Sequence, residues 1–216
     1  MKILLIAGHG AGDCGAVGNG YQEATLTREV VSLLKPILSK YADVTVFDTS
    51  KNMYKFLKSG NTFNFKAFDY VFEVHFNAFD KTAYGTEILV HPTEKGVSVE
   101  QNIINGVAAL GFTNRGVKRR TDLLNMNTCK KVQGVSYALL ETCFIDNQND
   151  MKLYQEKKQD VVQAIATGIV TGFGLKEDDP IKILKEKVGL EQRTIDYLLK
   201  YEYGNELVQK IANAVK

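Results

Sequence analysis

Cysteine is scarce in this 216-residue chain, and the three that occur, Cys14, Cys129 and Cys143, follow no C-x-x-C spacing. An odd number so placed excludes a disulfide framework and a thiolate zinc knuckle, and all three are expected to be reduced. A surplus of one charge is also missing. The 27 Lys and Arg residues are nearly balanced by 25 Asp and Glu, for a formal net charge of +2, so no polybasic face is available to bind nucleic acid through its phosphates. Long apolar runs are lacking as well. The run "ILLIAG" near the N-terminus is too short for a signal-peptide core and has no A-x-A cleavage site after it. No other segment is long enough to span a membrane. The chain is therefore expected to be made in the cytoplasm, without membrane insertion, and to need a separate release step if it acts outside the cell. Internal repeats and low-complexity tracts are absent too.

What is present suits one main domain: 44% of the residues are apolar, enough for a sizeable core. "MKILLIAG" reads as a buried strand ended by glycine, "DVTVF" (43–47) as a second, and "FDYVFEVHFNA" (68–78) as the most strongly β-like stretch. "GTEILVH" (85–91) looks like the neighbour of that stretch, and "VSYALLETCF" (135–144) like another buried strand. Apolar residues at Leu26, Val30, Leu33, Leu34, Ile37 and Leu38 have helical spacing, with Thr25 as N-cap and a kink or break at Pro36. A short helix near "NMYKFLK", "SVEQNIINGVAALGF" and "DVVQAIATGIVTGFGL" are the other helices of this part. Strands alternating with helices predict an α/β domain with a mostly parallel central sheet and helices on both faces.

"KEDDP" (176–180) breaks the pattern. The predicted main domain spans 1–175, and residues 180–216 read as a small C-terminal appendage of two or three short helices, divided near Gly189 and Gly204. So small a piece must dock on the main domain, on a partner, or on a copy of itself.

Chemistry concentrates where strands end. Gly10, Gly12 and Gly15 match G-x-G-x-x-G after the first strand, but "AVGNGY" follows and postpones the helix that a dinucleotide site needs at once. Of three histidines, His9 and His75 each stand at a strand end, where α/β sheets assemble their sites. His91 precedes Pro92 in an exposed-looking turn and is set aside. A catalytic zinc takes three protein donors and keeps one position open. Glu23, at the far end of the glycine-rich loop, is a third donor or simply an acidic residue favoured at a helix N-terminus. Glu141, within the apolar strand, is a general base beside a metal or a structural partner of the basic residues at 115–120.

Four segments, "AGHGAGDCGAVGNGYQEA", "FEVHFNA", "GTEILVH" and "LLETCFIDN", resemble the zinc-dependent N-acetylmuramoyl-L-alanine amidases of the Amidase_3 type, found in bacterial cell-wall hydrolases and phage endolysins. The resemblance covers about residues 1–175. It implies Zn2+ held by His9, Glu23 and His75, with Glu141 as the catalytic carboxylate. The sequence departs from the family in reading "IAGHGA" where "DPGHGG" is frequent, and in placing Glu73 where a serine often stands before "H-x-N-A". "NRGVKRR" (114–120) resembles the family's "RG-x-K" segment, which by itself gives Arg115 and Lys118 no catalytic role.

The implied activity is cleavage of the amide between N-acetylmuramic acid and L-alanine in bacterial peptidoglycan, in an endolysin that reaches the wall after release. The alternatives are a wall-binding module that cuts nothing and a zinc peptidase acting on the stem peptide. For residues 180–216 the readings are wall targeting, self-association, or a cap on the catalytic domain.

Overall fold

The computed structural model describes residues 1–215. Strand β1 (Lys2–Ala7) leads through a glycine-rich loop and a two-residue hairpin, β2 (Val17–Gly18) and β3 (Tyr21–Gln22), into helix α1 (Glu23–Leu38). Then come β4 (Asp43–Val46), α2 (Met53–Lys58), β5 (Tyr70–Asn77), β6 (Thr86–Val90), α3 (Ser98–Ala108), β7 (Asn114–Arg119), α4 (Leu124–Met126), β8 (Ser136–Phe144) and α5 (Gln148–Gly172). Six strands form the sheet in the order β4-β1-β5-β8-β6-β7. Pairing is parallel throughout except between β6 and β8. The fold is thus α/β with a mostly parallel central sheet.

The central strands carry apolar residues on both faces because both are covered. Ile3, Leu5, Phe72 and Leu140 pack beneath α1, α3 and α5, while Leu4, Ile6, Val71 and Leu139 face α2, α4 and a group of phenylalanines. Phe47 anchors that group, edge-on to Phe56 at 5.9 Å and to Phe63 at 5.7 Å.

Four expectations change. Helix α1 begins at Glu23 rather than after Thr25, because the preceding loop supplies acceptors for its first free amides: Glu23 N–H donates to Ala16 O at 2.9 Å and Ala24 N–H to Cys14 O at 3.0 Å. Pro36 stands in the last turn, two residues before the helix ends. Strand β6 does not neighbour β5, since β8 lies between them, parallel to β5 and antiparallel to β6. Helix α5 begins at Gln148, capped by the Asn147 side chain, and its polar first half gave no apolar period to read. Strand β7, half basic and at the sheet edge, shows the charged edge that discourages pairing between molecules.

Beyond Asp179, α6 (Pro180–Ile183) continues as a wider turn to Val188 and ends at Gly189, followed by α7 (Gln192–Leu199) and α8 (Gly204–Ala214). Their apolar cluster, centred on Leu184, Ile195, Val208 and Ala212, is built from residues of this segment.

Helices α3 and α5 meet closely through glycine. A Cβ at Gly168 would lie 2.6 Å from the Cα and N of Ile103, backbone atoms that cannot swing aside. Alanine gains about 1 kcal/mol of helix propensity over glycine, but overpacking costs about 1–3 kcal/mol. Gly168→Ala is therefore expected to lower the urea midpoint, by up to about 2 kcal/mol of stability; a raised midpoint would show that the helices separate freely.

Candidate metal centre

The site forms at the carboxyl ends of β1, β5 and β8. After β1 the chain turns through a run of left-handed residues, His9 (φ 61°), Gly10 (φ 91°), Ala11 (φ 51°) and Gly12 (φ 80°). Side-chain-bearing residues pay about 1–2 kcal/mol for that conformation, so something must hold the turn. Arg28 of α1 does so. Its guanidinium donates to Gly8 O at 3.0 Å, His9 O at 2.9 Å, Thr49 O at 3.0 Å and Lys51 O at 3.2 Å. Thr27 Oγ1 adds a bond to Gly8 O at 2.9 Å.

Glu23, the first residue of α1, is buried and binds at both ends of its carboxylate. Oε2 accepts from Ala16 N–H at 2.9 Å and lies 3.1 Å from His9 Nε2. Oε1 accepts from Phe76 N–H at 3.0 Å and lies 2.8 Å from His75 Nδ1. Two glycines make room: a Cβ at Gly15 would stand 2.7 Å from Glu23 Oε2, and one at Gly8 would stand 2.4 Å from the His75 ring. His9, Glu23 and His75 each offer a ligand atom, all within 4.8 Å of one another.

Each imidazole is backed by a second carboxylate. His9 Nδ1 is 3.0 Å from Asp13 Oδ2, which also accepts from Asn52 Nδ2 at 3.1 Å. His75 Nε2 is 2.9 Å from Glu73 Oε1. Burial would raise the Glu23 pKa, yet the hydrogen bonds to His75 and His9 hold it far below the usual carboxylate range. Burial would lower that of His75, but Glu23 and Glu73 raise it well above the usual imidazole value. Negative charge surrounds the two rings on every polar side and calls for a cation. A two-nitrogen, one-oxygen donor set with carboxylates behind the imidazoles fits a divalent metal of the zinc class.

Glu141 sits on β8 directly beside His75 in the parallel register. It does not pair with the basic residues at 115–120. Arg115 and Lys118 bind Glu87 at 2.7 and 2.5 Å, Arg120 binds Asp122, and Arg119 donates to the Pro92 and Glu94 carbonyls. Oε2 of Glu141 is buried without a hydrogen-bond partner among the described residues, and burial pushes its pKa up to about 7. A cavity of about 300 Å³ opens beside the imidazoles, lined by Tyr54, Leu123 and Leu124 among others.

The structure thus brings His9, Glu23 and His75 together and sets Glu141 next to them. His91 lies elsewhere, and it is buried rather than exposed, with Nδ1 2.8 Å from Thr93 Oγ1. Cys14 is exposed, Cys129 and Cys143 are buried, and all three are free. Sequence reasoning missed Arg28 and Asp13. For Glu73 the available signal was its spacing of two from His75, which puts both on one face of a strand.

Residues 3–171 match the family model described as N-acetylmuramoyl-L-alanine amidase. "Probable autolysin PH" of Staphylococcus aureus is 30% identical over 190 residues, covering 79% of this chain and 38% of that protein. The "Sporulation-specific N-acetylmuramoyl-L-alanine amidase" of Bacillus subtilis is 27% identical over 197 residues, 88% of this chain and 74% of the relative. Among solved structures, the "Catalytic domain of CD27L endolysin targeting Clostridia Difficile" superposes with a TM-score of 0.65 at 21% identity, over 83% of this chain and 99% of that one.

The Arg28 clamp can be isolated by two substitutions. At Gly10 a Cβ would fall 1.8 Å from Arg28 Nη2, whereas at Gly12, also left-handed, it would meet nothing within 4 Å. Both Gly10→Ala and Gly12→Ala carry backbone strain of about 1–3 kcal/mol, but only the first displaces the guanidinium. Thermal unfolding is expected to show a clearly larger loss for Gly10→Ala; equal losses would mean that the clamp contributes nothing.

Proposed function

Since the chain belongs to the N-acetylmuramoyl-L-alanine amidase family, we propose that it hydrolyses the amide between the lactyl carbonyl of N-acetylmuramic acid and L-alanine in bacterial peptidoglycan. The observation that carries this reading is Glu141, half-buried with one buried and unpartnered oxygen, beside three converging metal donors. His9, through Nε2, His75, through Nδ1, and Glu23 would hold zinc. When bound, zinc lowers the pKa of water from about 15.7 to about 7 and polarises a carbonyl.

The chain's own groups supply the proton transfers. Glu141 accepts a proton from the water whose oxygen bonds to the lactyl carbon, and gives it to the L-alanine nitrogen as the C–N bond breaks. Burial at this position raises the Glu141 pKa, which favours its holding the proton until the amine departs. Asp13 and Glu73 keep the imidazoles oriented.

The substrate lies outside the cell membrane, and no helix among the described residues is long and apolar enough to cross one. An endolysin made in the cytoplasm would reach it after a separate protein opens the membrane. The same site would serve an autolysin. Residues 1–175 form the catalytic domain on this reading. The segment from 180 onward, with its own apolar cluster and with Tyr197, Tyr201 and Tyr203 exposed, serves wall targeting or self-association.

Purified wild type and Glu141→Gln, incubated with peptidoglycan, should differ at least about 100-fold in the release of new L-alanine amino termini, with equal zinc content. Another new terminus would indicate a peptidase, and none from either protein a binding module. A chain ending at Asp179 is expected to bind walls less or to change its sedimentation while its main unfolding transition stays put. If wall binding and sedimentation match the full chain, the tail is only a cap.

A further inference from the structure

His75 lies between two carboxylates, with Nδ1 2.8 Å from Glu23 Oε1 and Nε2 2.9 Å from Glu73 Oε1. A neutral imidazole carries one ring proton, so only one nitrogen can offer a lone pair to a metal. If the proton sat on Nδ1, it would be donated to Glu23, and the two ligands would be tied to each other instead of to the ion. His9 faces the opposite way, with Nε2 toward Glu23 and Nδ1 toward Asp13. The two rings therefore present different nitrogens, and something must impose the choice at His75.

Glu73 has the anchoring for that task. It is only 3% exposed, and Asn125 Nδ2 donates to both of its oxygens at 3.0 Å. The Tyr137 hydroxyl donates to Oε2. An ionised carboxylate accepts only, and its other partners are donors. Asn125 on α4 and Tyr137 on β8 thus hold Oε1 where it can take a proton from Nε2.

We propose that Glu73, anchored by Asn125 and Tyr137, is the positioning residue that keeps the His75 proton on Nε2 and leaves Nδ1 for the metal. The proposal rests on the metal-binding reading of His9, Glu23 and His75. Such partners orient the ring and raise its basicity as a ligand, and their loss weakens metal binding about 10–100-fold. Glu73→Gln keeps the shape but leaves one acceptor oxygen for donors from three residues, and its amide can donate to Nε2. Tyr137→Phe removes only one anchor.

The test uses full-length protein labelled with 15N-histidine, with Zn2+ as the probe. Long-range proton–nitrogen spectra report which ring nitrogen carries hydrogen, and chelator competition gives the zinc dissociation constant. In the wild type, His75 is expected to be protonated at Nε2 and zinc-bound at Nδ1. Glu73→Gln should weaken zinc binding about 10–100-fold and introduce an Nδ1-protonated population of His75, with His9 unchanged. Tyr137→Phe should move both readouts in the same direction by less, and it carries the test if Glu73→Gln does not fold. Wild-type zinc affinity with Nε2 still protonated in the folded variants would overturn the proposal while leaving the metal site intact. Wild type that takes up no zinc, or His9→Ala and His75→Ala that both bind it undiminished, would overturn the metal reading itself.

Discussion

The Glu23 carboxylate is the joint on which the site depends. Removing a carboxylate from water costs several kcal/mol unless good partners replace the solvent. Here they come from three parts of the chain: the Ala16 amide in the loop, the Phe76 amide on β5, and imidazoles from both strand ends. One ion thereby fastens the start of α1 to the ends of β1 and β5. The surrounding sequence serves that contact, for Gly15 leaves space at Oε2, Gly8 leaves space for the His75 ring, and Arg28 one turn along the helix secures the loop.

Strand order does the rest. Because β8 runs parallel to β5 and directly beside it, Glu141 comes opposite His75 in register. Had β6 paired with β5, as its position in the chain suggests, Glu141 would stand a further strand away, about 4.8 Å more. Strand order therefore matters to the site: with β8 in the centre of the sheet beside β5, the carboxylate comes to His75.

The strands that build the centre were legible because each is a short apolar run stopped by glycine or a polar residue. The histidines at the ends of β1 and β5 were legible for the same reason, while Glu23 and Glu141 each had two readings between which the resemblance chose. Other elements left no such trace. Strand β7 is mostly polar, and the first half of α5, "QNDMKLYQEKKQ", owes its helix to the Asn147 cap and to a few contacts at Met151 and Tyr154 rather than to a stripe. Arg28 read as one charge among many on a helix surface. Its role depends on carbonyls from residues 8, 9, 49 and 51, which only the folded loop assembles. The neighbour of β6 left no trace in the sequence, because β6 and β8 are both apolar, buried strands and adjacency in the chain does not fix which of them lies beside β5.

The four carboxylates around the imidazoles differ in what their surroundings allow. Glu23 and Glu73 are buried, yet ring and amide donors hold them ionised, and Asp13 is held ionised at the half-open edge by His9 and the Gly15 amide. Glu141 has burial without that compensation, and its pKa rises to about 7. Carboxylates whose environments drive their pKa values apart divide acid–base labour between them. The three ionised groups can act as fixed negative charge, setting ring orientation and attracting a cation. The fourth is free to exchange a proton, because no group among the described residues has claimed its buried Oε2.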